Sequence, residues 1–161
     1  MAVTSALLRH DPGLIEQGGL MTTPEITRPL IVVGVDGSPQ GEKAVAWGLE
    51  QAKKTGGTLE LLIAWARPVS YGVPLVVGGL DPEAQAREIV EKAATELDLP
   101  ADRVIISVVH GAAPSILVER SSHADLLVVG SRGHGGFAEL LLGSVSAQVV
   151  HHAGCPVVVI R

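Results

Sequence analysis

Leu30-Ile31-Val32-Val33-Gly34-Val35-Asp36-Gly37-Ser38-Pro39 decides how this chain is read. Five of its first six residues are apolar without polar alternation, the pattern of a strand covered on both faces. Asp36-Gly37-Ser38 breaks the run, and Ser38-Pro39 opens a helix. Serine is a favoured N-cap, and proline is accepted at the first helical position. Ala44, Val45, Gly48, Leu49 and Ala52 then recur at helical spacing until Gly56-Gly57 stops them.

The same alternation continues outward from this unit. Residues 59–65 read as a second strand. Residues 67–80 carry Gly and Pro and read as a long connection over one end of the sheet. Asp81-Pro82-Glu83 restarts a helix in the same cap-then-proline manner, with Ala86, Ile89, Val90, Ala93 and Leu97 on its inward face. Residues 104–109, 125–130 and 156–160 read as three further strands, and residues 113–121 and 144–152 as two further helices. Strands alternating with helices require parallel pairing through right-handed crossovers. The expected fold is therefore α/β: an open, doubly wound, five-stranded parallel sheet of order 3-2-1-4-5 with helices on both faces.

The 161 residues suit one domain, and an apolar share of 47% supplies its core. Residues 30–161 are expected to form that domain, and residues 1–29 a mobile, functionally silent lead. The net charge of −5 and the absence of any Lys/Arg cluster speak against nucleic-acid and anionic membrane partners. No apolar run nears the roughly 18 residues needed to cross a bilayer. Cys155 is the single cysteine, which excludes an internal disulfide and fits a reducing cytoplasm. Its neighbourhood, Pro156 and an apolar strand, predicts a buried structural thiol.

In doubly wound sheets ligands bind beyond the carboxyl ends of the strands, where the strand order reverses. That directs attention to Asp36, residues 64–67, His110-Gly111 and Gly130 onward. After the fourth strand stand Gly130-Ser131-Arg132-Gly133, nine residues, and Gly143-Ser144-Val145-Ser146. Glycines let a ligand approach the main chain, and successive N–H groups in such turns form a concavity for anions. Ser144 and Ser146 open a helix, whose free N–H groups and dipole also favour phosphate. All four lysines precede this segment, so phosphate charge would be met by backbone N–H groups, serine hydroxyls and Arg132. That arrangement favours binding over fast phosphoryl transfer, which uses a lysine and a firmly held Mg2+. Gly133-x-Gly135-x-x-Ala138 imitates the dinucleotide fingerprint. It lies outside the first strand–helix turn, however, and no acidic residue follows about 20 positions on.

Together these segments resemble the universal stress protein family. The resemblance spans residues 29–161. It rests on Val33-Gly34-Val35-Asp36-Gly37-Ser38, Ala124-Asp125-Leu126-Leu127-Val128-Val129-Gly130, the spaced Gly130-x2-Gly133-x9-Gly143-Ser144, and the ending Gly154-Cys155-Pro156-Val157-Val158-Val159. The spaced motif is specific, because family members that carry it bind ATP. The resemblance implies ATP, with or without Mg2+, as the bound nucleotide. Asp36 would contact the ribose or adenine, Gly34 would line the same pocket, the backbone of Ala64 would meet the adenine edge, and Gly111 would border the site. Gly130, Arg132, Gly133, Gly143, Ser144, Val145 and Ser146 would surround the phosphates. Two departures stand out: Ile63 where relatives often have His, and His134 where many have Arg, which weakens a second positive charge.

The function expected is a nucleotide-sensing or regulatory protein of the stress response, with at most slow ATP hydrolysis. An ATPase or adenylyl-transfer enzyme on the same sheet is one alternative, and a dimeric module binding AMP or cyclic AMP is another. No catalytic residue or metal ligand is assigned. His151 and His152 end a helix about 100° apart and do not share a metal, and His110 and His123 read as structural. Val157, Val158, Val159 and Ile160 form a terminal edge strand through which the chain is expected to pair with a second copy. No downstream protein partner is legible.

Overall fold

The computed structural model describes residues 28–67, 81–134 and 141–161. The expected lead, apart from Arg28 and Pro29, and the expected connection after Arg67 lie outside the described residues. The elements run β1 (Leu30–Gly34), α1 (Pro39–Thr55), β2 (Thr58–Trp65), α2 (Pro82–Thr95), β3 (Val104–His110), α3 (Ala113–Ser121), β4 (Leu126–Gly130), α4 (Ser144–His152) and β5 (Val157–Ile160). All pairings are parallel, as the alternating pattern requires, and the order is β3-β2-β1-β4-β5, as expected. The fold is α/β and doubly wound.

Local chemistry sets the helix ends. The Ser38 hydroxyl accepts the N–H of Gly41 and caps α1, with Pro39 opening the helix. Gly56 ends it at φ +68°, a left-handed conformation that glycine adopts without a Cβ clash. Asp81 caps α2 by accepting the N–H groups of Glu83 and Ala84. α2 stops at Thr95, so Leu97 lies past its end, yet Leu97 still packs against the core.

Successive strand residues face opposite sides of the sheet, and each side has its own core. Ile31, Val33, Leu59, Leu61 and Ile63 pack with Ala44, Val45 and Ala52 of α1 and with Ala86 and Val90 of α2. Val32, Leu62, Leu127 and Val129 pack with Leu117 of α3 and Val149 of α4. Cys155 joins this second cluster half-buried rather than buried, and burial pushes its thiol pKa up. His110, read as structural, sets its ring edge-on to Trp65 with centroids 4.6 Å apart.

α1 approaches β1 closely because position 48 carries no side chain. A Cβ there would lie 2.5 Å from Val33 Cγ2 in a fully buried environment. Alanine is otherwise the better helix former, so the sign of the substitution measures this packing. Gly48→Ala is expected to destabilise the fold by about 1–3 kcal/mol through overpacking. Urea unfolding checks this, and a variant more stable than wild type would mean that α1 sits farther from the sheet.

Candidate functional site

Strand order reverses between β1 and β4: β1 leads through α1 to β2 on one side, while β4 leads through α4 to β5 on the other. At the carboxyl ends of these two strands the chain departs in opposite directions and leaves a crevice. A cavity of about 550 Å³ opens there.

Ten of the eleven expected site residues line it. Gly34 and Asp36 come from the end of β1, and Ala64 from the end of β2. Gly130, Arg132 and Gly133 follow β4, while Gly143, Ser144, Val145 and Ser146 begin α4. Gly111 is not among the lining residues. It turns the chain from β3 into α3 at φ +143°, donating its N–H to the Trp65 carbonyl, and Ala113 takes the place at the cavity wall. Val35, Leu62, Ala113, Leu117 and Val129 also line the cavity and were not singled out from sequence, and His134, noted there as a departure, joins them. Leu62 sits two residues before Ala64 on the same strand face, and Leu117 sits one turn after Ala113, so strand and helix periodicity could have found both.

The cavity has two chemically distinct ends. Leu62, Ala64, Ala113, Leu117 and Val129 make an apolar slot, over which Leu117 packs against Gly34. The other end is main chain from the two halves of the glycine-rich segment. Ser131, buried, ties these halves together: its carbonyl accepts the N–H of Gly143 at 2.7 Å and the hydroxyl of Ser146 at 2.8 Å. Ser146 is 2% exposed, and its hydroxyl also reaches the Gly143 carbonyl at 3.1 Å. Its single proton is therefore used within the loop, which differs from a role as free phosphate donor. The exposed Ser144 is not so engaged. It is the first residue of α4 rather than the N-cap, which is Gly143. Because Gly143 has no side chain, the first N–H groups of α4 lack a side-chain cap at the cavity wall.

Asp36 joins the two ends. Its Oδ1 accepts the backbone N–H of Ser38 at 2.9 Å and the Ser38 hydroxyl at 2.6 Å, so it orders the turn that caps α1. Its Oδ2 lies against Gly133, where a Cβ would collide with it. By contrast, a Cβ at Gly143 would meet only ordinary contacts, the nearest at 3.5 Å, and φ −76° there is open to any residue. A side chain at position 133 therefore forces Asp36 to move, while a Cβ at position 143 forces no such shift. Among the described residues lining the cavity, Asp36, Arg132 and His134 are the ionisable ones. Among the described residues no three His, Cys, Asp or Glu side chains gather as a metal centre, and no helix is long and apolar enough to cross a membrane.

Comparison with known proteins agrees with this architecture. The family model described as the universal stress protein family matches residues 29–161. A universal stress protein of Mycobacterium bovis is 34% identical over 170 residues, covering 99% of this chain and 55% of that protein. The chain therefore spans about half the length of the curated relatives it matches. Among solved structures, a universal stress protein in complex with cAMP aligns with TM-score 0.64 and 28% identity, covering 84% of this chain and 98% of the other. The universal stress protein from Archaeoglobus fulgidus in complex with dAMP shares the fold at TM-score 0.59 and 20% identity, covering 83% and 98%. With the family model matched from the entrance of β1 to the last residue of the chain, and with the same sheet beneath it, the chain belongs to the universal stress protein family.

Proposed function

We propose that this chain binds an adenine nucleotide, ATP by preference, as a sensing or regulatory protein of the cytoplasmic stress response. The observation that carries this reading is the pairing of an apolar slot with an uncapped helix start in one cavity at the switch point. The slot formed by Leu62, Ala64, Ala113 and Leu117 suits a flat heteroaromatic base. The loop after β4 and the first turn of α4 offer N–H groups to phosphates. Its volume falls within the range of about 300–1,000 Å³ common for small-molecule sites. Relatives solved with cAMP and dAMP support a nucleotide of the adenine class. The length of the glycine-rich segment favours more phosphates than those two ligands carry. A reading in which the site takes AMP or cyclic AMP rests on those same two complexes.

Hydrolysis at this site would be slow. A general base must reach the attacking water with a free acceptor, and Asp36 has one oxygen committed to Ser38. Any Mg2+ would be held mainly by the nucleotide phosphates, with Asp36 supplying the carboxylate among the described residues that line the cavity. An ATPase reading would require turnover that survives removal of bound contaminants and falls in Asp36→Asn.

The two glycines separate the contributions. Gly133→Ala is expected to displace Asp36 and to weaken both adenosine and ATP by at least about tenfold, as small misplacements of positioning groups do. Gly143→Val adds a side chain whose Cβ meets only ordinary contacts, and it is expected to weaken ATP while sparing adenosine. Calorimetric titration with ATP, AMP, cyclic AMP and adenosine, with circular dichroism for folding, checks both. ATP affinity at the wild-type level in a folded Gly143→Val variant would move the phosphates away from α4.

The serines divide in the opposite sense. Ser146→Ala is expected to cost about 0.5–1.5 kcal/mol of stability without any ligand, the usual net worth of a lost hydrogen bond. Ser144→Ala is expected to leave the unfolding midpoint unchanged and to lower ATP affinity. Equal stability losses in the two variants would overturn this assignment.

The homodimer expected through β5 belongs to the same proposal. Val158 and Ile160 pack on the α1 side of the sheet, and Val157 and Val159 on the other, so its two faces are already in use. What remains is its outer edge. The carbonyls of Pro156 and Ile160 accept N–H groups of Leu127 and Ser131, so even-numbered groups face β4 and those of Val157 and Val159 face outward. Val159→Pro therefore removes an outward donor and spares the β4–β5 ladder. Light scattering is expected to show a dimer for wild type and a monomer for this variant. A surviving dimer would place the interface elsewhere, with the opposite edge strand β3 the next to test.

A further inference from the structure

Glu60 stands in β2, one of the three interior strands, and is 1% exposed. Its Oε1 accepts the hydroxyl of Ser107 on β3 at 2.6 Å, and its Oε2 accepts Nε of Arg120 on α3 at 2.7 Å. Arg120 keeps 36% of its side chain exposed, so the pair reaches from the sheet to the outer surface of the helix layer. A carboxylate buried at this depth is costly, and an apolar side chain of similar size would serve stability as well. What an apolar contact lacks is direction, since aliphatic side chains slide past one another at little cost. A two-point hydrogen-bonded carboxylate does not.

The position of this pair is informative. Glu60, Leu62 and Ala64 alternate along one face of β2, while Arg120, Leu117 and Ala113 lie three and four residues apart along one face of α3. Leu62, Ala64, Leu117 and Ala113 line the cavity, and Glu60–Arg120 closes the far end of the same two stripes. Apolar packing of Leu117 with Ile116 and Val118 holds α3 to this side of the sheet, and the ion pair adds direction to that contact. The helix's own N-cap, Ala112, supplies no capping side chain. At its other end Ser121 accepts the N–H of Gly154 through its hydroxyl.

We infer that Glu60 and Arg120 are positioning residues: their ion pair fixes the level and rotation of α3 on β2, and through Ala113 and Leu117 it sets the width of the apolar slot. The inference rests on the nucleotide reading for its ligand, but the placement of α3 can be tested without one. The decisive variant replaces the whole polar cluster by apolar residues, Glu60→Leu with Ser107→Ala and Arg120→Met, leaving no buried charge behind. It is expected to unfold at the wild-type temperature or above. Its adenosine and ATP affinities are expected to fall by the same factor, about tenfold, the scale of a misfitted apolar pocket. Amide hydrogen exchange in residues 113–121 should accelerate while β1 and β4 keep wild-type protection. Should the triple variant not fold, Glu60→Gln, which keeps the shape and loses the charge, is expected to weaken adenosine about threefold on the same scale. Wild-type adenosine affinity together with wild-type exchange in α3, in whichever variant folds, would overturn the inference. If wild-type protein binds no adenine nucleotide, the nucleotide reading falls, and the exchange of α3 alone decides the positioning role.

Discussion

β1 governs this structure because its residues leave it one option. A short strand apolar on both faces must be paired on both edges and roofed on both sides, or it buries nothing. Val32 and Val33 are fully buried on opposite sides, and β2 and β4 pair with the two edges. Covering both sides sends the chain first through α1 to one flank and later through α4 to the other. The crevice where a ligand can sit is a consequence of that split. β1 and β4 diverge there, and their last residues, Gly34 and Gly130, keep the mouth free of side chains.

The same end of β1 carries the contact that binds the crevice to the fold. Asp36 orders Ser38, Ser38 caps α1, and the second oxygen of Asp36 touches the backbone at Gly133. The β1–α1 turn and the loop after β4 are therefore brought close together at Asp36 and Gly133. Ser131 does the same for the two halves of the glycine-rich segment, taking Gly143 and Ser146 on one carbonyl. Contacts already made within the protein lower the ordering cost of binding at such a site.

Charge at the site is sparse by comparison with nucleotide-processing enzymes. Among the described residues lining it, Arg132 and His134 are the side chains that can carry a positive charge, beside the Asp36 carboxylate and the serine hydroxyls. Backbone donors recognise phosphate by geometry and do not move protons, which is the physical basis for reading the site as a binding site rather than a reaction centre. The relatives of about twice this length raise a related point. A chain matching about half of such a protein leaves room beside it for a second unit of similar size.

Much of this was legible in the sequence, because it rests on local rules. Apolar runs of strand length, the Ser38-Pro39 and Asp81-Pro82 starts, and the stop at Gly56 each depend on neighbours a few residues away, and together they place the alternating strands and helices along the chain. The clustering of Asp36, Ala64 and the two glycine-rich halves followed from the rule that ligands gather at carboxyl ends of strands. Tertiary structure decided what no local pattern encodes. It put Ala113 rather than Gly111 at the cavity wall, because the positive φ of Gly111 spends that residue on the turn into α3. It engaged the Ser146 hydroxyl with Ser131, fifteen residues away, so that two serines alike in sequence differ in chemistry. And it brought Glu60 to Arg120 across sixty residues, a pairing invisible in a strand where a lone glutamate among leucines looks like an interruption. Propensity and capping act over a few residues; which side chains converge depends on where packed layers place them.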